Sequence, residues 1–206
     1  MSENRQQPCA NGSWPYRYAV IERHERVLDA RSLRGLAHPL RIRLLGMLRA
    51  DGPATATQLA KRLAESSGTT SWHLRQLAEH GFIEEDTDRG TKRERWWRAS
   101  HELTVLEAER FTGDPDLGEA LDVYIREVLA THYRRSTAFL GEIRDWSPEW
   151  LRAATISDTT LSLSPSELAE LSRQIESLID WYRREPRPTD ERITVHVHAF
   201  PRRSST

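Results

Sequence analysis

Between Ser66 and Asp86 the chain reads SSGTTSWHLRQLAEHGFIEED, and no other stretch narrows its folding options as much. Small hydroxylated residues open a helix-length run, which Gly81 stops in the manner of a C-terminal cap. At about 100° per residue, Thr70, Leu74, Leu77, Ala78 and Gly81 share one face. Gly68, Thr69, Trp72, Arg75 and Gln76 point away from it, and His73 sits on the flank. Trp72 thus stands on the outer face, beside donors and acceptors of the kind that read base edges in a major groove. Ser67, read as the N-cap, leaves helix N-terminal amides near a phosphate. The plainer reading is a polar face with a tryptophan covered by another part of the chain, and the neighbouring segments decide against it.

Upstream, VLDARSLRGLA from Val27 carries apolar residues at helical spacing. HPLRIRLLGMLRADG follows, with Pro39 at a first-turn position and Leu40, Leu44, Leu45 and Leu48 on one face. Gly52-Pro53 breaks the pattern. TATQLAKRLAE then opens with Thr55 three residues before Gln58, a capping-box spacing. Downstream, FIEEDTDRGTKRERWWRA gives two extended segments around Asp88-Arg89-Gly90, a hairpin signal. Helices followed directly by a hairpin are the order of a winged helix-turn-helix domain. Arg89, Lys92, Arg93, Arg95 and Arg98 crowd the hairpin, which suits a phosphate backbone or a narrow minor groove. A solvated hairpin with Glu94 and Asp88 offsetting part of the charge is the alternative.

The net charge of −1 speaks against nucleic acid only if it is taken whole. Residues 21–100 hold 15 Lys+Arg against 11 Asp+Glu, a net +4, while residues 101–206 hold 13 against 19, a net −6. A basic half joined to an acidic half puts phosphate contact in the first alone. Cys9 is the one cysteine, which excludes an intramolecular disulfide and any multi-cysteine metal site. The chain carries no apolar run of the roughly 20 residues a membrane span needs. Its N-terminus lacks the apolar core of a signal peptide, so a cytoplasmic protein is expected. We find no serine–histidine–acid order, phosphate loop or metal-ligand cluster at a usable spacing, and the chain is not read as an enzyme.

The second half opens with Asp114 as cap and Pro115 in the first turn of a one-faced helix running to about residue 146. Leu117, Leu121, Tyr124, Ile125, Val128, Leu129, Phe139 and Leu140 form its stripe, and a stripe of this length calls for a partner helix. TTLSLS and RITVHVHAF alternate like short strands that would pair, giving a small α+β C-terminal part. Between them Ser164 and Glu167 stand at capping-box spacing ahead of another amphipathic helix. The expected organisation is an N-terminal arm (1–20), a winged helix-turn-helix domain (21–100) and a C-terminal dimerisation and possible effector domain (101–206). Its fold class is mainly α with a β-hairpin wing.

Several of these residues carry a family resemblance. LAHPLRIRLLGML resembles the entry helix of ArsR/SmtB-type winged-helix regulators, through Pro39, Arg41 and Ile42-Arg43-Leu44-Leu45. TTSWHLRQLAEHGFIEE is similar to that family's recognition segment through Ser71, His73, Leu74, Leu77, Gly81, Phe82 and Ile83. RGTKRERWWRA is similar to its wing. The resemblance covers about residues 27–100 and implies a homodimer that binds a palindromic operator on double-stranded DNA, most often a repressor released by an inducer. It also implies metal sensing in many members, and here the chain departs. The paired cysteines of arsenic- and lead-type sensors fall on Thr55 and Thr57, which supply no thiolate. His132 has Val128 and Ser136 as its helical neighbours, not a second imidazole. His196 and His198 share a strand face and are read as solvent-facing before ligating.

The expectation is therefore a sequence-specific DNA-binding repressor with no cofactor and no metal, acting as a homodimer. Its recognition helix spans 67–80 and its wing 86–95. DNA contact is assigned to Ser67, Gly68, Thr69, Ser71, Trp72, His73, Arg75, Gln76, Arg89, Lys92, Arg93 and Arg95, and dimerisation to the 117–140 stripe. Trp146, Trp150, Trp181, Tyr182, Tyr124 and Tyr133 either line a hydrophobic pocket for an unknown small-molecule effector or serve as ordinary core and interface aromatics. A winged-helix interaction module that does not bind DNA is the competing function.

Overall fold

Side-chain caps set where the helices begin. In the computed structural model, which describes residues 24–89 and 94–203, Asp29 closes a capping box with Ser32 at the start of α1 (Ala30–Leu36). His38 caps α2 (Pro39–Asp51), whose first residue is the proline expected there. Thr55 and Gln58 form the anticipated reciprocal box on α3 (Ala56–Leu63). The cap of α4 (Ser67–Glu79) is Ser66 and not Ser67: its hydroxyl accepts from the Thr69 amide at 3.0 Å. Gly81, just past the end of α4, takes φ +71°, the left-handed turn that a side chain would disfavour.

The hairpin follows as β3 (Ile83–Glu85) and β4 (Trp96–Ala99), antiparallel, with Ile83 opposite Ala99 and Glu85 opposite Trp97. β4 also pairs with β2 (Ala54–Thr55), giving a three-stranded sheet of order β2-β4-β3. A second, parallel pair joins β1 (Glu25–Val27) to β5 (Leu103–Val105) and ties the two ends of the domain together. Arg49 of α2 reinforces that tie, donating to the His101 carbonyl and the Thr104 hydroxyl at 2.9 Å each.

The core lies between these elements. Leu33 and Leu36 of α1, Leu44, Leu45 and Leu48 of α2, Leu59 of α3, Leu74 and Leu77 of α4, then Phe82, Ile83 and Trp97 are all buried. Helices α2 to α4 with the β3–β4 hairpin make a winged helix-turn-helix. The long helix α5 (Pro115–Glu142) begins at Asp114 and Pro115 as read from the sequence, ends four residues early, and packs on α1 and α2. Only its first turns are buried: Leu117 and Leu121 enter the core, with Tyr124, Ile125 and Val128 half-covered against it. Leu129, Tyr133 and Leu140 are exposed and Phe139 is half-buried. Pro148 starts a new short helix, α6 (Pro148–Ala153).

The described residues fall into two compact units that divide between Thr155 and Ile156. In the second, α7 (Pro165–Trp181) starts at the expected Ser164–Glu167 box. The strands expected at TTLSLS and RITVHVHAF do not form; among the described residues this unit contains no strand. Alternation prepares one face of a strand, but a strand needs a ladder partner and a surface to cover that face. Among the described residues Ile193, Val195 and Val197 meet no partner strand and stay exposed. The small α+β C-terminal part is thus corrected to a helix with irregular chain that forms no strand among the described residues.

Candidate nucleic-acid interface

α4 is amphipathic in the sense read from its sequence. Thr70, Leu74 and Leu77 face inward, while Ser67, Gly68, Thr69, Trp72 and Arg75 are exposed and Ser71 and Gln76 are half-buried. Trp72 keeps 49% of its surface open, a large apolar area to leave in water on a helix whose other large side chains are inside. Among the described residues of its unit nothing walls off Trp72 or Arg75. Gln76 donates to Glu79 one turn on at 3.1 Å, so its amide must leave that carboxylate to meet a base.

His73 departs from the flank position expected for it. It is only 5% exposed and lies under Trp72, with ring centroids 4.7 Å apart and planes at 80°. On its other side it meets His38 at 4.3 Å. A buried imidazole does not reach a groove, so His73 belongs beneath the reading face. His38 was missed by sequence reasoning, although its position directly before Pro39 is the signal of an N-cap.

Arg75 lines a cleft of about 330 Å³ together with Thr55, Ala56, Thr57, Ser71, Glu94, Arg95 and Trp97. The cleft lies where the start of α3, the middle of α4 and the base of the wing converge. Thr57 is exposed there, a hydroxyl that sequence reasoning passed over once the cysteine pair was found absent. The wing brings Arg89, Arg95 and Arg98 to the surface, each beside an acid. Arg89 pairs with Asp86 at 3.3 Å, Arg95 with Glu85 at 3.1 Å and Arg98 with Glu84 at 2.9 Å. Arg95 also lies 5.6 Å from the Trp97 ring centroid. The Arg95 and Arg98 pairs are exposed on both sides and contribute about 0–1 kcal/mol each, whereas Asp86 is buried beneath Arg89. Lys92 and Arg93, the N-terminal arm and Cys9 lie outside the described residues.

The remaining candidates are dispersed. Trp146 and Trp150 meet edge to face at 6.3 Å, as do Trp181 and Tyr182 at 4.7 Å, and Tyr124 faces the α2 side of its unit, where burial raises its phenol. His196 and His198 stack at 6.5 Å. Among the described residues no group of three or more His, Cys, Asp or Glu side chains is placed to hold a metal ion. Among them, too, no helix is long and apolar enough to cross a membrane.

Residues 36–86 match a family model described as a helix-turn-helix domain. No curated protein matches the chain. Among solved structures, it is similar to the homodimeric winged helix-turn-helix DNA-binding domain of a possible ArsR-family transcriptional regulator from Mycobacterium bovis. That similarity is 22% identity over 50% of this chain and 77% of that one, with a TM-score of 0.32. It is also similar to a possible transcriptional regulator for arsenical resistance, at 26% identity over 52% of this chain and 93% of the other, TM-score 0.30. A mutant of ZitR from Lactococcus lactis matches at 17% identity over 71% and 75%, TM-score 0.29.

Proposed function

We propose, taking residues 36–86 as the helix-turn-helix domain they match, that this chain is a sequence-specific DNA-binding transcriptional regulator of the ArsR/SmtB type. It acts as a homodimer and as a repressor. The observation that carries the reading is α4 itself: leucines beneath, and Trp72 with Arg75 left exposed beside the wing. An α-helix of this width enters a major groove, where an arginine reads guanine and an indole packs on thymine methyls. At the wing, Arg89 and Arg95 would leave Asp86 and Glu85 for backbone phosphate, which Lys92 and Arg93 would contact as well. Ser67, Gly68, Thr69 and Ser71 place small polar groups at the end of α4 that enters first, next to its free N-terminal amides.

The exposed apolar positions of α5 support self-association. Leu129 and Leu140 of the stripe are exposed, with Tyr133 beside them, and a second copy of α5 would cover them. A two-fold dimer sets two recognition helices about 34 Å apart, one duplex turn, and calls for a palindromic operator.

Selection of bound fragments from random or genomic duplex DNA tests the class and reads the half-site spacing together. Trp72→Ala and Arg75→Ala should then weaken binding to the selected site more than to a scrambled duplex in fluorescence-anisotropy titrations. Equal losses on both duplexes would remove base reading from α4. Failure to enrich any fragment would leave the winged helix as a protein-docking scaffold.

A further inference from the structure

The contact between α2 and α4 is an unusual one for a domain interior: two imidazoles, His38 and His73, with ring centroids 4.3 Å apart and planes at 39°. His73 in turn supports the Trp72 indole from below at 4.7 Å. A line of three rings therefore runs from the N-cap of α2 to the exposed side chain at the centre of the recognition helix.

The hydrogen bonding of this pair defines its proton count. The Leu40 amide donates to Nδ1 of His38 at 3.1 Å, so that nitrogen holds a lone pair and the ring's proton is on Nε2. Nδ1 of His73 is buried without a hydrogen-bond partner, a place for a lone pair and not for an N–H. Adding a proton to His38 sets two N–H groups against each other and removes the cap of α2. Adding one to His73 buries a donor with nothing to accept it. The charges around the pair act in the same direction. Arg41 of α2 stands beside both rings, with its own Nε buried and unpartnered, and its guanidinium is held by the Arg34 carbonyl at 3.3 Å. Glu65, in the turn before α4, is the anion that faces His73, and its pull is the smallest of the influences there. Burial, then the neighbouring positive groups, hold both imidazoles below their usual range.

We infer that His38 and His73 are positioning residues for Trp72, a stacked pair that seats the indole for DNA while uncharged and releases it when either ring takes a proton. The pair thereby makes DNA recognition sensitive to mild acid. This deepens the proposed function and rests on it for the DNA half. The seated indole excludes the proton, so binding expels whatever proton the released form has taken up. Each proton so expelled weakens affinity by up to about tenfold per pH unit below the free protein's imidazole pKa.

The test uses the full chain and has two readouts. In the first, the chain is labelled with fluorotryptophan, the Trp72 resonance is assigned by its loss in Trp72→Phe, and its ¹⁹F shift is followed from about pH 7.5 to about pH 5.5 alongside the histidine ring signals. Trp72 should titrate together with His38 and His73, and should stand still in the double variant His38→Asn/His73→Gln, which retains a capping oxygen at position 38 and cannot ionise at either position in this range. Each single variant, His38→Asn or His73→Gln, leaves one ionisable ring and should show a Trp72 shift that follows that ring alone, which keeps the test readable should the double variant unfold. In the second readout, a duplex enriched from a random pool should bind roughly tenfold more weakly at the acid end, against a change of about twofold or less in the double variant. A Trp72 signal that ignores the histidine titration overturns the proposal, and so does affinity that rises in acid, the result expected if a charged His73 attracted phosphate instead. If no duplex is enriched, the DNA reading fails while the ¹⁹F titration still judges the ring pair.

Discussion

Gly35 is where α1 touches the end of α4. A Cβ added there would lie 2.4 Å from both Cγ and Nδ1 of the His80 ring and 2.7 Å from its Cδ2. These atoms cannot bend away as the tip of a lysine would, because the whole imidazole must turn, and its Nδ1 is buried. Overpacking of this kind costs about 1–3 kcal/mol. Glycine to alanine inside a helix gains about 1 kcal/mol in propensity, so the raw effect of Gly35→Ala mixes two terms of opposite sign. Gly118→Ala in α5 separates them, since nothing lies within 4 Å of the added methyl and only the gain remains. Urea unfolding followed by circular dichroism should therefore show Gly118→Ala stabilised by roughly 0.5–1 kcal/mol, and Gly35→Ala below it by about 1–3 kcal/mol. Because His80 is the C-cap of α4, Gly35→Ala should also weaken binding to a selected duplex where Gly118→Ala does not. Equal unfolding midpoints for the two variants would mean that His80 rotates freely and that Gly35 is not needed for the α1–α4 contact.

Other outcomes follow from single contacts. Leu74→Ala removes a fully buried side chain on the inner face of α4 and should cost about 3–5 kcal/mol, checked by the same unfolding curves. Asp29→Ala deletes one half of the α1 capping box, which should cost about 1 kcal/mol, while Asp29→Asn should cost less. His38, His73, His80 and His101 are all held below the usual imidazole range, chiefly by burial, so the unfolded chain binds more protons in mild acid. Stability should be complete above about pH 6.5 and fall as the pH drops through that value toward the folded pKa values, and a urea midpoint that did not move between about pH 7.5 and 5.5 would contradict this. Arg95→Ala should lower the slope of log affinity against log salt by about one unit if its guanidinium leaves Glu85 for phosphate.

What the sequence made legible was local. Pro39, Thr55 with Gln58, Asp114 with Pro115, and Ser164 with Glu167 each declare a helix start within four residues, and all four begin helices there. The Ser66–Ser67 ambiguity shows the limit of such signals: either hydroxyl can cap, and the extended backbone at Ser66 decided it. What stayed hidden depended on distant chain. β1 and β5 are three residues each, too short for alternation to show, and they pair across some 78 positions. His73 was read on the flank of α4 because only the folded domain brings the α2 cap against that flank. The C-terminal segments erred in the opposite direction, since their alternation was clear and no partner strand was there to use it.

The wing's ion pairs alter how attraction to DNA should be divided. The cross-strand register sets Glu84 opposite Arg98 and brings Glu85 within reach of Arg95, while Asp86 holds Arg89. Three of the arginines that made the hairpin look strongly basic are therefore already matched within it. Residues 21–100 carry a net charge of only +4 and residues 101–206 carry −6, so long-range steering toward duplex DNA is weak. If the chain binds DNA as proposed, affinity then comes from groups that are open before contact, Arg75 and the Trp72 indole, from Lys92 and Arg93, and from exchanging Glu85 for phosphate at Arg95, which is nearly neutral in energy. An interface built this way discriminates by fit more than by charge. It should bind its own site with a shallow salt dependence and scrambled DNA weakly even in dilute buffer, whereas strong binding to any duplex at low salt would place the governing charges elsewhere in the chain.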